Sequence, residues 1–89
     1  MEHIIAESSL DAPLSLAEEK RTSKAIDEAL LKSGSYWLRS FVSRDRMRII
    51  AEFEGGDVTA VEAAYREAGL DLNRVWLAQV QTLESVKAD

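Results

Sequence analysis

Apolar and polar residues change rhythm several times along this chain, and each rhythm predicts an element. Residues 2–7, "EHIIAE", are short and centred on two isoleucines; "SSLDAP" then breaks the pattern, so they read as a first strand. From Leu16 the apolar residues recur at helical spacing through Ala25, Ile26, Ala29 and Leu30, with neither Gly nor Pro before Gly34. Ser15 stands three residues before Glu18, the spacing of a capping box, and Gly34 supplies a stop, so the helix is expected to run to Ser33. Residues 36–43 and 46–54 alternate with period two and read as strands, with the polar "SRDR" as the turn between them. "EGGD" ends the second of these. A second helix is expected to start near Asp57 or Thr59, to place Val61, Ala64, Tyr65 and Ala68 on one face, and to stop at Gly69. After "LDLN", residues 74–83, "RVWLAQVQTL", read as a last strand, and residues 84–89, "ESVKAD", as a frayed tail.

The order β-α-β-β-α-β is the ferredoxin-like pattern: a single α+β domain over residues 1–89, a four-stranded antiparallel sheet, and two helices on one of its faces. The first and third strands are central in this topology. Alternation then assigns each side chain to a face. Ile4 and Ala6 suit the helix-covered core; His3, Ile5 and Glu7 suit the open face. A hairpin centred between Arg44 and Asp45 pairs Val42 with Met47, Ser40 with Ile49, Leu38 with Ala51 and Tyr36 with Phe53 towards the core. Its opposite row pairs Phe41 with Arg48, Arg39 with Ile50 and Trp37 with Glu52 on the open face. Arg48 is then expected over the Phe41 ring, and Arg39 beside Glu52. Trp76, Ala78 and Val80 form one row of the last strand, and Trp76 is assigned to the core.

Charge narrows the partners. Sixteen acids against eleven bases give a net charge of −5, which disfavours nucleic acid, whose phosphates call for a basic field. Four of the arginines (Arg39, Arg44, Arg46 and Arg48) nevertheless crowd the hairpin beside Tyr36, Trp37 and Phe41. Arg44 and Arg46 lie at the turn and read as solubilising charges. Arg39 and Arg48 project from the open face. Without cysteine there is neither a disulfide nor a thiolate nucleophile, as suits a reducing cytoplasm. "MEHIIAESSLDAP" lacks the basic start and apolar run of a signal peptide, and no stretch approaches the ~18 apolar residues of a membrane span.

Catalytic motifs are sparse. No serine sits in a Gly-x-Ser-x-Gly elbow, and "EGGD" carries no phosphate-loop lysine. Nickel and zinc favour histidine and cysteine, and His3 is the only residue of either kind. His3 and Glu7 share a face but lie roughly 13 Å apart along a strand, too far to hold one ion within a protomer. The residues themselves therefore imply neither metal nor cofactor. Acid–base chemistry is the more serious enzymatic possibility. Glu7 or Glu52 would be the base, with Arg39 and His3 as stabilisers; the competing reading is that Arg39, Arg48 and Glu52 form interfacial ion pairs.

Three stretches, "IIAES", "WLRSFVSRD" and "AVEAAYREAGLDLNRV", resemble the small bacterial domains of unknown function that include a nickel-binding protein of ferredoxin-like fold. The family pattern is roughly a "VER" strand, then W-x-x-S-Y-V-x-x-D, then a helix ending AG-x-x-x-D-R-I. Glu7 matches the strand-one glutamate. Trp37, Ser40, Val42 and Asp45 match the hairpin motif, with Phe41 in place of the tyrosine, and Gly69 and Arg74 match the last. The resemblance implies a bacterial domain of ferredoxin-like fold and, as a second alternative for its function, nickel binding. Many members, however, carry a cysteine on strand three, where this chain has "RIIAEF", and a histidine in helix two, where it has "AAYREAG".

These readings converge on the uncovered face. His3, Glu7, Trp37, Arg39, Phe41, Arg48, Ile50 and Glu52 are its candidate ligand-binding or interface residues. The expected role is self-association into a homodimer that binds a small molecule there. The alternative is a cofactor-independent enzyme, isomerase- or monooxygenase-like, acting on a small organic molecule.

Overall fold

The alternating start of the chain becomes strand β1, His3–Ser9, in the computed structural model, which describes residues 2–87. It is followed by α1 (Leu16–Leu31), β2 (Tyr36–Val42), β3 (Arg48–Glu54), α2 (Val58–Ala68), β4 (Arg74–Ala78) and a short α3 (Leu83–Lys87). The strands form one antiparallel sheet in the order β2-β3-β1-β4, so the first and third strands are central. The chain has the ferredoxin-like α+β architecture that its pattern predicts.

The helices start where their caps are. The Ser15 Oγ accepts the Glu18 backbone N–H at 3.1 Å. The Glu18 carboxylate does not close a capping box; it pairs with Arg21 at 2.9 Å, and that hydrogen bond and charge hold its carboxyl below the ordinary range. In α2 the cap is Asp57, whose Oδ1 accepts the Ala60 N–H at 2.7 Å, and Gly69 closes the helix in the left-handed region at φ 73°.

The core lies between the helices and the inner row of the sheet. Ile4, Ala6, Ala51 and Phe53 meet Ile26, Leu30, Val61, Ala64, Tyr65 and Ala68, all buried. Phe53 and Tyr65 pack edge to face with ring centres 6.2 Å apart. Burial holds the Tyr65 hydroxyl well above the ordinary tyrosine pKa. At the core's edge the fully buried Ser35 donates its hydroxyl to the Gly55 carbonyl at 2.7 Å. Gly56 packs so closely there that a Cβ would lie 1.9 Å from the Ser35 Oγ, and its φ is +73°.

Two details depart from the expected hairpin. The loop is longer: Ser43 and Arg48 close it, with Arg46 in the left-handed region at φ 62°. Asp45 organises the loop by accepting the Ser43 hydroxyl at 2.6 Å and the Met47 N–H at 3.0 Å, and these bonds lower its pKa. The register moves accordingly, pairing Val42 with Ile49, Phe41 with Ile50, Ser40 with Ala51 and Arg39 with Glu52. A shift of two residues preserves each side chain's face, but a bulge at Leu38 then inverts the parity and sets Trp37 opposite Phe53. Trp37 is therefore on the helix side, not the open face. The direct Phe41–Arg48 juxtaposition is also lost, because Arg48 now lies opposite Ser43.

Arg46 is more than a solubilising charge. Its Nε donates to the Leu14 carbonyl at 2.7 Å and its terminal nitrogen pairs with Glu19 at 2.9 Å, tying the hairpin tip to the start of α1. At the other edge β4 stops at Ala78, opposite His3, where β1 begins and the ladder runs out of partner. Leu83, the end of the expected last strand, and residues 84–87 of the expected tail form α3 instead, capped by reciprocal bonds between Thr82 and Ser85; residues 88–89 lie outside the described residues.

Candidate functional site

On the open face the ladder register sets side chains out in rows across the sheet, running from β2 through β3 and β1 to β4. One row reads Phe41, Ile50, Glu7, Arg74; the next reads Arg39, Glu52, Ile5, Trp76. Each row is half apolar and half charged, in opposite order. The four apolar side chains thus cross the face on one diagonal, with a carboxylate–arginine pair at each remaining corner.

The first corner is a three-member cluster. The Glu52 Oε2 lies 3.2 Å from the His3 Nε2 and accepts the Arg39 Nε at 3.2 Å. His3 and Glu52 side chains are each 14% exposed, whereas Arg39 is 63% exposed. A largely desolvated carboxylate gains more from its partners than one in water, because the local dielectric is lower. The second corner is built on Glu7, whose Oε2 accepts the Trp76 indole N–H at 2.8 Å and lies 4.0 Å from the Arg74 Nε. Trp76 is thus on the open face, opposite Ile5, and not in the core where its row was expected. The aromatics at the two ends of the diagonal remain well exposed, Phe41 at 56% and Trp76 at 43%.

The candidates named from sequence separate accordingly. His3, Arg39 and Glu52 come together; Glu7 belongs to the other corner. Phe41 and Ile50 pair directly. Arg48 stands outside both rows, beside the hairpin loop, and Trp37 is on the opposite side of the sheet. Sequence reasoning missed Trp76 and Arg74. The available signal was that a strand with two apolar rows has its parity set by pairing alone, and Glu7 opposite Arg74 would have set it.

Among the described residues no group of three or more His, Cys, Asp or Glu side chains gathers where an ion could sit. His3 and Glu52 are two ligands, and the third member of their cluster is a cation. No helix among the described residues is long and apolar enough to cross a membrane.

On the helix side, two hollows flank Tyr65. One is a broad groove of about 730 Å³ along α2 and β4; the other is a pocket of about 420 Å³ between α1 and the β2–β3 hairpin, walled in part by Trp37, Val42 and Phe53.

No protein-family model and no curated protein matches the chain. Among solved structures it is similar to the crystal structure of SCO4226 from Streptomyces coelicolor A3(2), at a TM-score of 0.78 and 11% identity, over 90% of this chain and 99% of that one. The likeness establishes the fold, and the ferredoxin-like architecture described above is consistent with it.

Proposed function

We propose that this protein is a homodimeric binding domain that pairs through its open sheet face and holds a small ligand at the His3–Glu52–Arg39 corner. The observation that carries the reading is the diagonal arrangement of that face. A two-fold axis along the diagonal would lay Phe41, Ile50, Ile5 and Trp76 over the same residues of a second copy. It would also bring the Arg39–Glu52 corner against the Glu7–Arg74 corner of that copy, with the carboxylates next to the diagonal and the arginines outside them at the rim. The surface is self-complementary in apolarity.

Magnitudes favour a modest dimer. Fully burying one large apolar side chain stabilises by about 1.5–3 kcal/mol. Two copies contribute four half-exposed aromatics and four isoleucines, set against an association cost of about 4–15 kcal/mol. In the dimer Arg39, with most of its surface free in the monomer, is the group available to a small anionic or polar ligand. The same corner has the makings of proton-transfer chemistry, with Glu52 as base and Arg39 as cationic stabiliser.

Amide NMR tests the reading in two steps. Dilution from millimolar to micromolar protein should move the resonances of Ile5, Phe41, Ile50 and Trp76 together. A panel of small organic acids should then produce saturable shifts at His3, Arg39 and Glu52, abolished in Arg39→Ala. Dilution shifts confined to the helices would contradict the dimer; ligand shifts that survive Arg39→Ala would contradict the site.

A further inference from the structure

The helix side of the sheet is incompletely filled, and the sequence shows why. Over the C-terminal half of α1 the inward positions are Ile26 and Leu30, both buried. One and two turns earlier the inward positions are Thr22, Ser23 and Glu19, which are small or polar. Below them the sheet still presents apolar side chains: Trp37, Val42, Ile49 and Phe53. A helix with no apolar bulk over an apolar floor leaves a void, and the pocket of about 420 Å³ is that void. Its size falls within the roughly 300–1,000 Å³ typical of small-molecule sites. Trp37 remains 41% exposed although it lies on the helix-covered side.

The polar groups of the pocket are few and sorted by depth. On the floor the Trp37 indole N–H donates to the Ser40 Oγ at 2.9 Å, so the ring is held in one orientation and its polar atom is satisfied. In the roof the Thr22 hydroxyl is bound to the backbone carbonyls of Glu18 and Glu19 at 2.9 and 3.3 Å, leaving its methyl as the group it can present. At the mouth Lys20 and Lys24 stand one turn apart on α1, and among the described residues neither takes part in an ion pair. Glu19 is already matched by Arg46, so of the acidic residues that line the pocket Asp27 is left to oppose the two lysines. The mouth is therefore locally positive on a chain of net charge −5.

We infer that this pocket is a second binding site, separate from the open face, for a small amphipathic carboxylate: an aliphatic or aromatic acid whose apolar part lies on Trp37, Val42 and Phe53 and whose carboxylate meets Lys20 and Lys24. The apolar part gains roughly 25 cal/mol per Å² removed from water. The head group selects the acid over an alcohol or amine of the same chain through charge-assisted hydrogen bonds.

Trp37 is the natural reporter. In a Trp76→Phe background it is the only tryptophan, and its fluorescence can be titrated with decanoate, decanol and decylamine below their aggregation limits. Decanoate should give a saturable change at micromolar concentration. Decanol should bind at least tenfold more weakly, and decylamine more weakly still. Lys20→Glu with Lys24→Glu should weaken decanoate at least tenfold and remove the preference for the acid. Thr22→Leu fills the void from the roof and should abolish binding while the melting temperature holds or rises. Should that variant fail to fold, Val42→Trp fills the void from the floor and should abolish binding in the same way. Absence of a saturable change, equal affinity for acid and amine, or undiminished binding in a folded filled variant would each overturn the inference. The site is on the opposite side of the sheet from the proposed dimer surface, so Phe41→Arg should leave the decanoate titration unchanged.

Discussion

The two faces of this sheet are made by alternate residues of the same strands, yet they do different work. Towards the helices β1 and β3 present Ile4, Ala6, Ala51 and Phe53, each at most 3% exposed. Towards the open side the same strands present His3, Ile5, Glu7, Ile50 and Glu52, polar and apolar interleaved and none fully buried. Each face also carries one tryptophan with its indole N–H satisfied, Trp37 by Ser40 and Trp76 by Glu7. The difference teaches that stability in this domain resides on one side of the sheet, which leaves the other side free to carry a charge pattern that folding does not require.

The largest effect should come from emptying the stabilising face. Phe53 is 1% exposed and packs on Tyr65, so Phe53→Ala should cost about 3–5 kcal/mol in chemical denaturation. A loss under 1 kcal/mol would mean the core is not where the burial places it. Next comes the core's edge. Gly56→Ala puts an L residue at φ +73° and a methyl against the Ser35 hydroxyl, and should cost about 2–3 kcal/mol. A variant as stable as the wild type would contradict that close approach.

Tyr65 makes the stabilising face sensitive to alkali. Burial raises its folded pKa above the unfolded value of about 10, so the native state keeps a proton that the unfolded chain releases. Stability is full below about pH 10 and falls as pH rises from there towards the folded pKa. The melting temperature of Tyr65→Phe should decline less between about pH 10 and 11.5 than that of the wild type. Parallel curves would remove Tyr65 from the account. The smallest effect belongs to the open face: Arg39 is mostly solvated, and Arg39→Ala should change monomer stability by less than about 1 kcal/mol. A larger loss would show that this face also holds the fold together.

Much of this architecture was legible from the sequence, and the reasons for the rest are specific. Ser15, Gly69 and the two periodicities fixed the elements and their order, because caps and amphipathic patterns are local. Hairpin register is not local. It depended on Asp45 organising a four-residue loop between Ser43 and Arg48, and on a bulge at Leu38 that nothing in "YWLRSF" announces. That single extra residue carried Trp37 to the other face. Trp76 moved the opposite way because Val75–Leu77 and Trp76–Ala78 are both apolar rows, so only pairing with β1 decides between them. The His3–Glu52–Arg39 corner was legible as a neighbourhood, since the faces of β1 and β3 follow from alternation. The pocket under α1 was not legible, because it is a lack of side-chain volume over a floor that other elements supply.

The most direct test of the open face as a pairing surface is sedimentation equilibrium of the wild type beside Phe41→Arg and Trp76→Glu. Both substitutions place a charge at an end of the apolar diagonal, on residues that are already half exposed, so neither should disturb the core. The wild type should sediment as a dimer at high micromolar concentration, and both variants should sediment as monomers with unchanged melting temperatures at low concentration. A wild type that stays monomeric throughout that range, or variants that dimerise as it does, would contradict the account.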